Sequence, residues 1–147
     1  MIESPEKHVA EFAKAGADGI TIHVESTPHI DYTLSAIREG GAKAGLVVCP
    51  GTPPDHFAEV DLDLALIMTV NPGWGGQAFL RNQLDKVRRA RALLGEGVAI
   101  EVDGGVNPET AAECAEAGAT WFGAGAAIFK SDDPAARFRE IASAAGC

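Results

Sequence analysis

The sequence predicts an α/β chain in which parallel strands alternate with helices, beginning on a helix. Three observations carry that prediction. Five short apolar runs (residues 19–24, 44–49, 63–69, 98–102 and 121–124) have strand length and are bounded by turn residues. Stretches with apolar residues at helical spacing separate them. The step from helix to strand also recurs, as Ala15-Gly16-Ala17-Asp18 and Ala117-Gly118-Ala119-Thr120. A repeat of roughly 20 to 30 residues is that of a βα unit, whose crossovers are right-handed. The strand runs are almost wholly apolar, as expected of a sheet covered on both faces. Two architectures satisfy this pattern: an open, doubly wound five-stranded sheet, or part of a (β/α)8 barrel. A full barrel needs eight strands and roughly 250 residues, so five strands in 147 residues cannot close one.

Each element has its own local reason. Ser4 is a good helix cap, Pro5 suits the first helical position, and Val9, Phe12 and Ala13 share a face. Gly16 can end that helix. Ile30, Leu34 and Ile37 mark a second helix, which stops at Gly40-Gly41. The strand at 44–49 ends in the turn Pro50-Gly51-Thr52-Pro53, and a short helix over 54–59 leads to the strand at 63–69. After a glycine-rich loop, Leu84, Val87, Arg91 and Leu94 line one side of a long helix whose Lys86, Arg88 and Arg89 form a solvated face. Asn107 caps the next helix with Pro108 at its first position; Ala111, Cys114 and Ala115 form its apolar face, and Gly118 ends it. Residues 125–129 read as a loop and one helical turn. The last helix uses Phe138, Ile141, Ala142 and Ala145.

Composition narrows the function. A 46% apolar content supports one core, and a net charge of −9 argues against nucleic-acid binding and against adhesion to anionic membranes. The same charge leaves room for a phosphate pocket built from backbone N–H groups. Cys49, Cys114 and Cys147 are odd in number and lack metal-type spacing, which suits a reducing, cytoplasmic setting. No apolar run approaches the roughly 18 residues of a membrane span, and no leader pattern is visible.

The chemistry collects at strand ends. In order, these carry His23 and Glu25, then Pro50-Gly51-Thr52, then Asn71 with Gly73 to Gly76, then Asp103-Gly104-Gly105, then Gly125. In a parallel sheet they share the C-terminal edge, where α/β folds place ligands. The loop Asn71-Pro72-Gly73-Trp74-Gly75-Gly76-Gln77 is either an ordinary strand-to-helix connection or an anion-binding loop. Asp103, directly after an apolar strand, suits a general acid/base or a hard metal ligand, or else caps a turn. His23 and Glu25 are candidate ligands or proton carriers, or structural groups. His8, His29 and His56 read as solvated, and Cys49 and Cys114 as small hydrophobes. Met68 and Trp74 read as packing residues. Three glycine sites on one edge favour a small phosphorylated substrate.

Two motifs, Val70-Asn71-Pro72-Gly73-Trp74-Gly75-Gly76-Gln77-Ala78-Phe79 and Ile100-Glu101-Val102-Asp103-Gly104-Gly105-Val106-Asn107, resemble signatures of the ribulose-phosphate 3-epimerase family. Ser4-Pro5-Glu6-Lys7, Ile22-His23-Val24-Glu25, Lys43-Ala44-Gly45 and Pro50-Gly51-Thr52-Pro53 support the likeness, which runs along essentially the whole chain. The resemblance implies an incomplete (β/α)8 TIM barrel of the ribulose-phosphate-binding type, with about five parallel strands and six helices. On this reading residues 1–147 are the C-terminal portion of a single barrel, starting at the end of its third strand.

The implied activity is that of a carbohydrate-phosphate isomerase. It interconverts ribulose 5-phosphate and xylulose 5-phosphate by two-aspartate proton transfer through an enediolate, assisted by a divalent metal ion (zinc first, with iron, manganese or cobalt as alternatives). Asp103 matches the second aspartate, both acid and metal ligand. Gly73, Trp74, Gly75 and Gly76 match the loop over the substrate phosphate, with Trp74 where the family usually has Phe. Gly104 and Gly105 match substrate-contacting backbone. Gly125-Ala126 matches a phosphate site that commonly reads Gly-Ser, and Met68 matches a residue near the reacting carbons. The family's two metal-binding histidines, base aspartate and substrate-binding serine have no match here. The expectation is therefore a chain that is inactive and aggregation-prone alone, and homo-oligomeric in full-length form. Alternatives are an allulose 6-phosphate epimerase or another phosphate-barrel enzyme, and a non-catalytic α/β fragment that binds a phosphorylated metabolite.

Overall fold

The computed structural model describes all residues, Met1–Cys147. Five parallel strands, β1 (Gly19–His23), β2 (Lys43–Val48), β3 (Leu64–Met68), β4 (Ala99–Asp103) and β5 (Trp121–Gly123), pair in sequence order 1-2-3-4-5. Six α-helices accompany them: α1 (Val9–Lys14), α2 (Ile30–Glu39), α3 (Leu84–Leu94), α4 (Pro108–Ala117), α5 (Ala126–Phe129) and α6 (Pro134–Ala144). A doubly wound sheet reverses its strand order and carries helices on both faces. Here the order never reverses, so the doubly wound alternative is ruled out and the sheet is a barrel-type section.

Registers show how the two faces differ. Ile22 sits opposite Leu46, Leu46 opposite Ala65, Ala65 opposite Ile100, and Val102 opposite Phe122. These residues share one face with Val48 and Ile67. They form the main core with Val9, Leu34, Ile37, Phe57, Val87, Ala111, Cys114 and Ile141 from the surrounding helices and turns. Side chains alternate along a strand, so the other face carries Val47, Leu66 and Met68, which with Val70 make a cluster of only four buried residues. That inner face also carries Asp103.

Most predicted boundaries hold to a residue or two. Asn107 forms a capping box: its side chain accepts from the Thr110 N–H, and Thr110 Oγ1 accepts from the Asn107 N–H. Three expectations fail for local reasons, and one expected helix takes the 3-10 form. Ser4 makes no side-chain cap; its backbone is left-handed (φ 52°) and its N–H donates to Ser26 O, so a 3-10 turn over Pro5–Lys7 precedes α1. Phe12 is 54% exposed, because the six-residue α1 turns only Val9 fully inward. The helix over Pro54–Glu59 is 3-10. Phe138 is 60% exposed: α6 packs through Ile141, and Phe138 lies beside an open apolar hollow with Trp121 on the edge strand β5. Arg91 lies on the apolar side of α3 because its guanidinium donates to the carbonyls of Gly118, Val98 and Gly95, tying three elements together.

The lopsided core predicts unequal truncation costs on one strand. Ile67→Ala, on the helix-covered face, should cost about 2–5 kcal/mol of unfolding free energy. Leu66→Ala, one residue away on the thin inner cluster, should cost less than half as much in the same urea titration.

Candidate active site

The sheet's C-terminal edge opens into a cavity of about 930 Å³. Every residue given a site role by the family resemblance lines it: Met68 from β3; Gly73, Trp74, Gly75 and Gly76 from the loop after β3; Asp103, Gly104 and Gly105 from the end of β4; and Gly125 and Ala126 at the start of α5. Met68 is buried, whereas Trp74 is 63% exposed and does not pack as a core residue.

Asp103 closes β4, opposite Met68 of β3. Gly123 of β5 lies beside it, and a side chain there would begin 2.9 Å from Asp103 Oδ1. A glycine at 123 therefore leaves the carboxylate its space. Gly104 and Gly105 have φ of +117° and +69°, a region that disfavours side chains. A Cβ at Gly104 would collide with Val70, and one at Gly105 would stand 2.8 Å from the backbone N of Phe79. The two glycines let the β4 turn nest against the loop after β3.

Thr69, fully buried, fastens that nest. Its backbone N–H donates to Asp103 O at 2.9 Å, and its carbonyl accepts from Leu80 N–H at 2.9 Å, closing the base of the loop. Its hydroxyl lies 2.6 Å from Gly104 O and 2.9 Å from Asp103 O. At the loop's rim the Gln77 amide accepts from Asn71 N–H and donates to the carbonyls of Asn71 and Trp74. The glycine-rich segment is thus a stapled loop rather than a loose connection.

Burial raises the pKa of Asp103 above the ordinary carboxylate range, against a lowering bond from the Gly104 N–H. Glu101, two residues earlier on the same face, is raised by burial and then by the Asp103 charge. Asp103 is the one carboxylate, imidazole or thiol lining the cavity. A divalent ion needs several such ligands, so this chain's residues do not by themselves form a metal centre there.

Three functional features escaped sequence reasoning. Lys130 lines the cavity, and its Nζ lies 3.7 Å from where a Cβ would stand on Gly76, so its ammonium faces the glycine loop. A lysine before Ser131-Asp132-Asp133 gave no signal of this. Lys86, expected to be solvated, is partly buried and donates to Cys49 O (2.8 Å) and Pro50 O (2.9 Å). Cys49, expected on an apolar face, stands beside His23, with Sγ 3.5 Å from Nδ1. Burial, and then the Glu25 carboxylate, push its thiol up to about 11. Glu25 is lifted by burial but ends below its usual value, held ionised by hydrogen bonds from Thr52 Oγ1 and Cys49 N–H. His29 and His56 are exposed, and His8, half-buried, is not among the cavity residues.

The raised pKa values fix a sign. Asp103 and Glu101 hold protons more tightly when folded than when unfolded, so stability falls as pH rises from the ordinary carboxylate range through the raised values. Asp103→Asn removes one of these ionised groups. Its thermal midpoint should exceed the parent's by a few degrees at neutral pH, and the gap should close as pH falls to about 4; an equal gap at both pH values would contradict the burial argument.

Comparison with known proteins gives the geometry a lineage. Residues 1–129 match the ribulose-phosphate 3 epimerase family. The chain is 45% identical over 147 aligned residues to a ribulose-phosphate 3-epimerase of Bacillus subtilis, covering 96% of this chain and 68% of that protein. It is 46% identical over 138 residues to one from Escherichia coli, covering 90% and 61%. It therefore spans about two thirds of the length of these relatives. Among solved structures, a 3-hexulose-6-phosphate synthase superposes with a TM-score of 0.71 at 22% identity, covering 98% of this chain and 70% of that one. The KGPDC of Streptococcus mutans, solved in complex with D-R5P, superposes with a TM-score of 0.73 at 18% identity, covering 98% and 68%. At such identities these two structures speak for the shared fold alone.

Proposed function

The chain belongs to the ribulose-phosphate 3 epimerase family, and from that premise we propose that its cavity takes a phosphorylated ketopentose, ribulose 5-phosphate or xylulose 5-phosphate. The observation that carries this reading is the convergence of the stapled glycine loop, the Gly104-Gly105 turn, the Gly125-Ala126 backbone and Lys130 around the lone carboxylate of Asp103. The loop, the Gly125-Ala126 backbone and the Lys130 ammonium receive the phosphate. Ala126 offers no hydroxyl, and Lys130 supplies a positive charge on the same wall. Met68 packs near the reacting carbons.

Asp103 serves as a proton carrier at the carbon next to the carbonyl. Its carboxylate takes the C3 proton, the C–H electron pair becomes the enediolate double bond, and the carbonyl oxygen takes up the negative charge. A carboxylate whose pKa lies above the usual range accepts that proton more readily. Inversion then needs a proton delivered to the opposite face. No second acid of this chain lines the cavity, so this polypeptide alone supplies one half of the exchange. A divalent metal, where present, would stabilise the developing oxyanion; in this cavity Asp103 is the only ligand of this chain. The setting we propose is cytoplasmic, with self-association in the full-length protein.

Calorimetric titration of residues 1–147 with ribulose 5-phosphate, with allulose 6-phosphate in parallel and turnover followed by NMR, tests the reading. Ribulose 5-phosphate should bind, and Lys130→Met should weaken it roughly fivefold, the equivalent of about 1 kcal/mol for one exposed charge. Xylulose 5-phosphate should not form. Absence of binding would overturn the phosphate assignment, rapid turnover would overturn the one-carboxylate assignment, and tighter binding of allulose 6-phosphate would replace the pentose.

A further inference from the structure

A second group of reactive side chains lies at the same sheet edge, outside the Asp103 cavity. His23 ends β1, Glu25 follows it, and Cys49 follows β2. The register that sets His23 against Val47 brings Cys49, two residues further on, to the same inner face. β3, with Met68, stands between this group and Asp103.

The spacing of the three side chains is informative. His23 Nδ1 lies 3.4 Å from Glu25 Oε2 and 3.5 Å from Cys49 Sγ. The first is longer than an ordinary N–H···O hydrogen bond. One ring nitrogen faces both partners: it has not closed on the carboxylate, and its contact with the Cys49 sulfur has the length of a sulfur hydrogen bond. All three ligand-type atoms lie within 4.8 Å of one another. Tetrahedral zinc, with Zn–N and Zn–O near 2.1 Å and Zn–S near 2.3 Å, would set its N···O edge at roughly 3.4 Å and its N···S edge at roughly 3.6 Å. The observed separations match both edges.

The surroundings fit a cation as well. Glu25 Oε1 is fixed by the Cys49 N–H and the Thr52 hydroxyl, which leaves Oε2 directed toward the group. Lys86 is the nearby positive charge. Its Nζ is committed to the carbonyls of Cys49 and Pro50 at 2.8 and 2.9 Å. Binding of the ion would release the Cys49 thiol proton to solvent; the resulting thiolate and the Glu25 carboxylate would then neutralise a divalent ion and leave Lys86 as the surplus charge. His23 is mostly buried while the Glu25 side chain is 37% exposed, so the group has a solvent side for a fourth ligand.

We propose that His23, Glu25 and Cys49 form a mononuclear site for a thiophilic divalent ion of the zinc type, with water as fourth ligand. The mixed nitrogen, oxygen and sulfur donors select zinc or cobalt over magnesium or calcium. The ion would clamp the ends of β1 and β2 together. It shares no residue with the Asp103 cavity, so the proposal stands or falls independently of the sugar-phosphate reading.

Cobalt(II) is the probe. Titrated into the metal-free 147-residue protein, it should saturate at one equivalent and give a thiolate-to-cobalt charge-transfer band, which added zinc removes. Cys49→Ser should abolish the band, whereas Cys114→Ser and Cys147→Ser should retain it. His23→Asn should weaken cobalt binding about tenfold or more, with circular dichroism confirming that each variant is folded. A measurement that needs no variant runs alongside. One equivalent of zinc should slow alkylation of Cys49, located by peptide mass mapping, and leave Cys147 unaffected. Absence of the band in the unaltered protein, its persistence in Cys49→Ser, unchanged affinity in His23→Asn, or failure of zinc to protect Cys49 would each overturn the assignment.

Discussion

The buried hydroxyl of Thr69, 2.6 Å from Gly104 O and 2.9 Å from Asp103 O, binds the end of β3 to the turn after β4. A hydroxyl has one proton to donate, so the two carbonyls share it. The same residue's N–H and C=O engage Asp103 and Leu80. One side chain and its peptide groups therefore set the position of the carboxylate, the glycine turn and the root of the stapled loop. Lining up these parts by separate means would leave each free to drift, and a site misplaced by about an ångström loses much of its catalytic value.

That junction works because the sheet's two faces differ. The helix-covered face buries a large apolar cluster, which anchors the strands. The inner face has only Val47, Leu66, Met68 and Val70 in its buried cluster, with Asp103 and Glu101 on the same side. Burial there is enough to raise both carboxylates. Stability comes from one face and chemistry from the other, a division that strand alternation makes possible. Gly104, Gly105 and Gly123 belong to it: a Cβ at any of them would strike Val70, Phe79 or Asp103 itself.

Much of this was legible in the sequence. Apolar runs and turn residues located all five strands, and the Asn107-Pro108 cap and the halt at Gly118 were visible from residue type alone. The motif residues fall on one cavity because every βα unit places its loop on the same edge. What stayed hidden depends on register and packing. His23 and Cys49 are 26 residues apart and meet only through the pairing of β1 with β2. Lys86 reads as one of three exposed cations until its reach to Cys49 O and Pro50 O is seen. Phe12 and Phe138 obey helical periodicity, yet a six-residue helix and an edge strand leave them without cover. Lys130 reaches the glycine loop by a path no spacing rule describes.

Asp103 and the glycine loop are held as one unit through Thr69. Amide hydrogen exchange in Thr69→Val reports on that coupling directly, since valine keeps the shape and removes the hydroxyl. Exchange should accelerate together across residues 70–79 and 103–105, while β2 (Lys43–Val48) keeps its protection. Acceleration confined to one of those two segments, or none in either, would contradict that coupling.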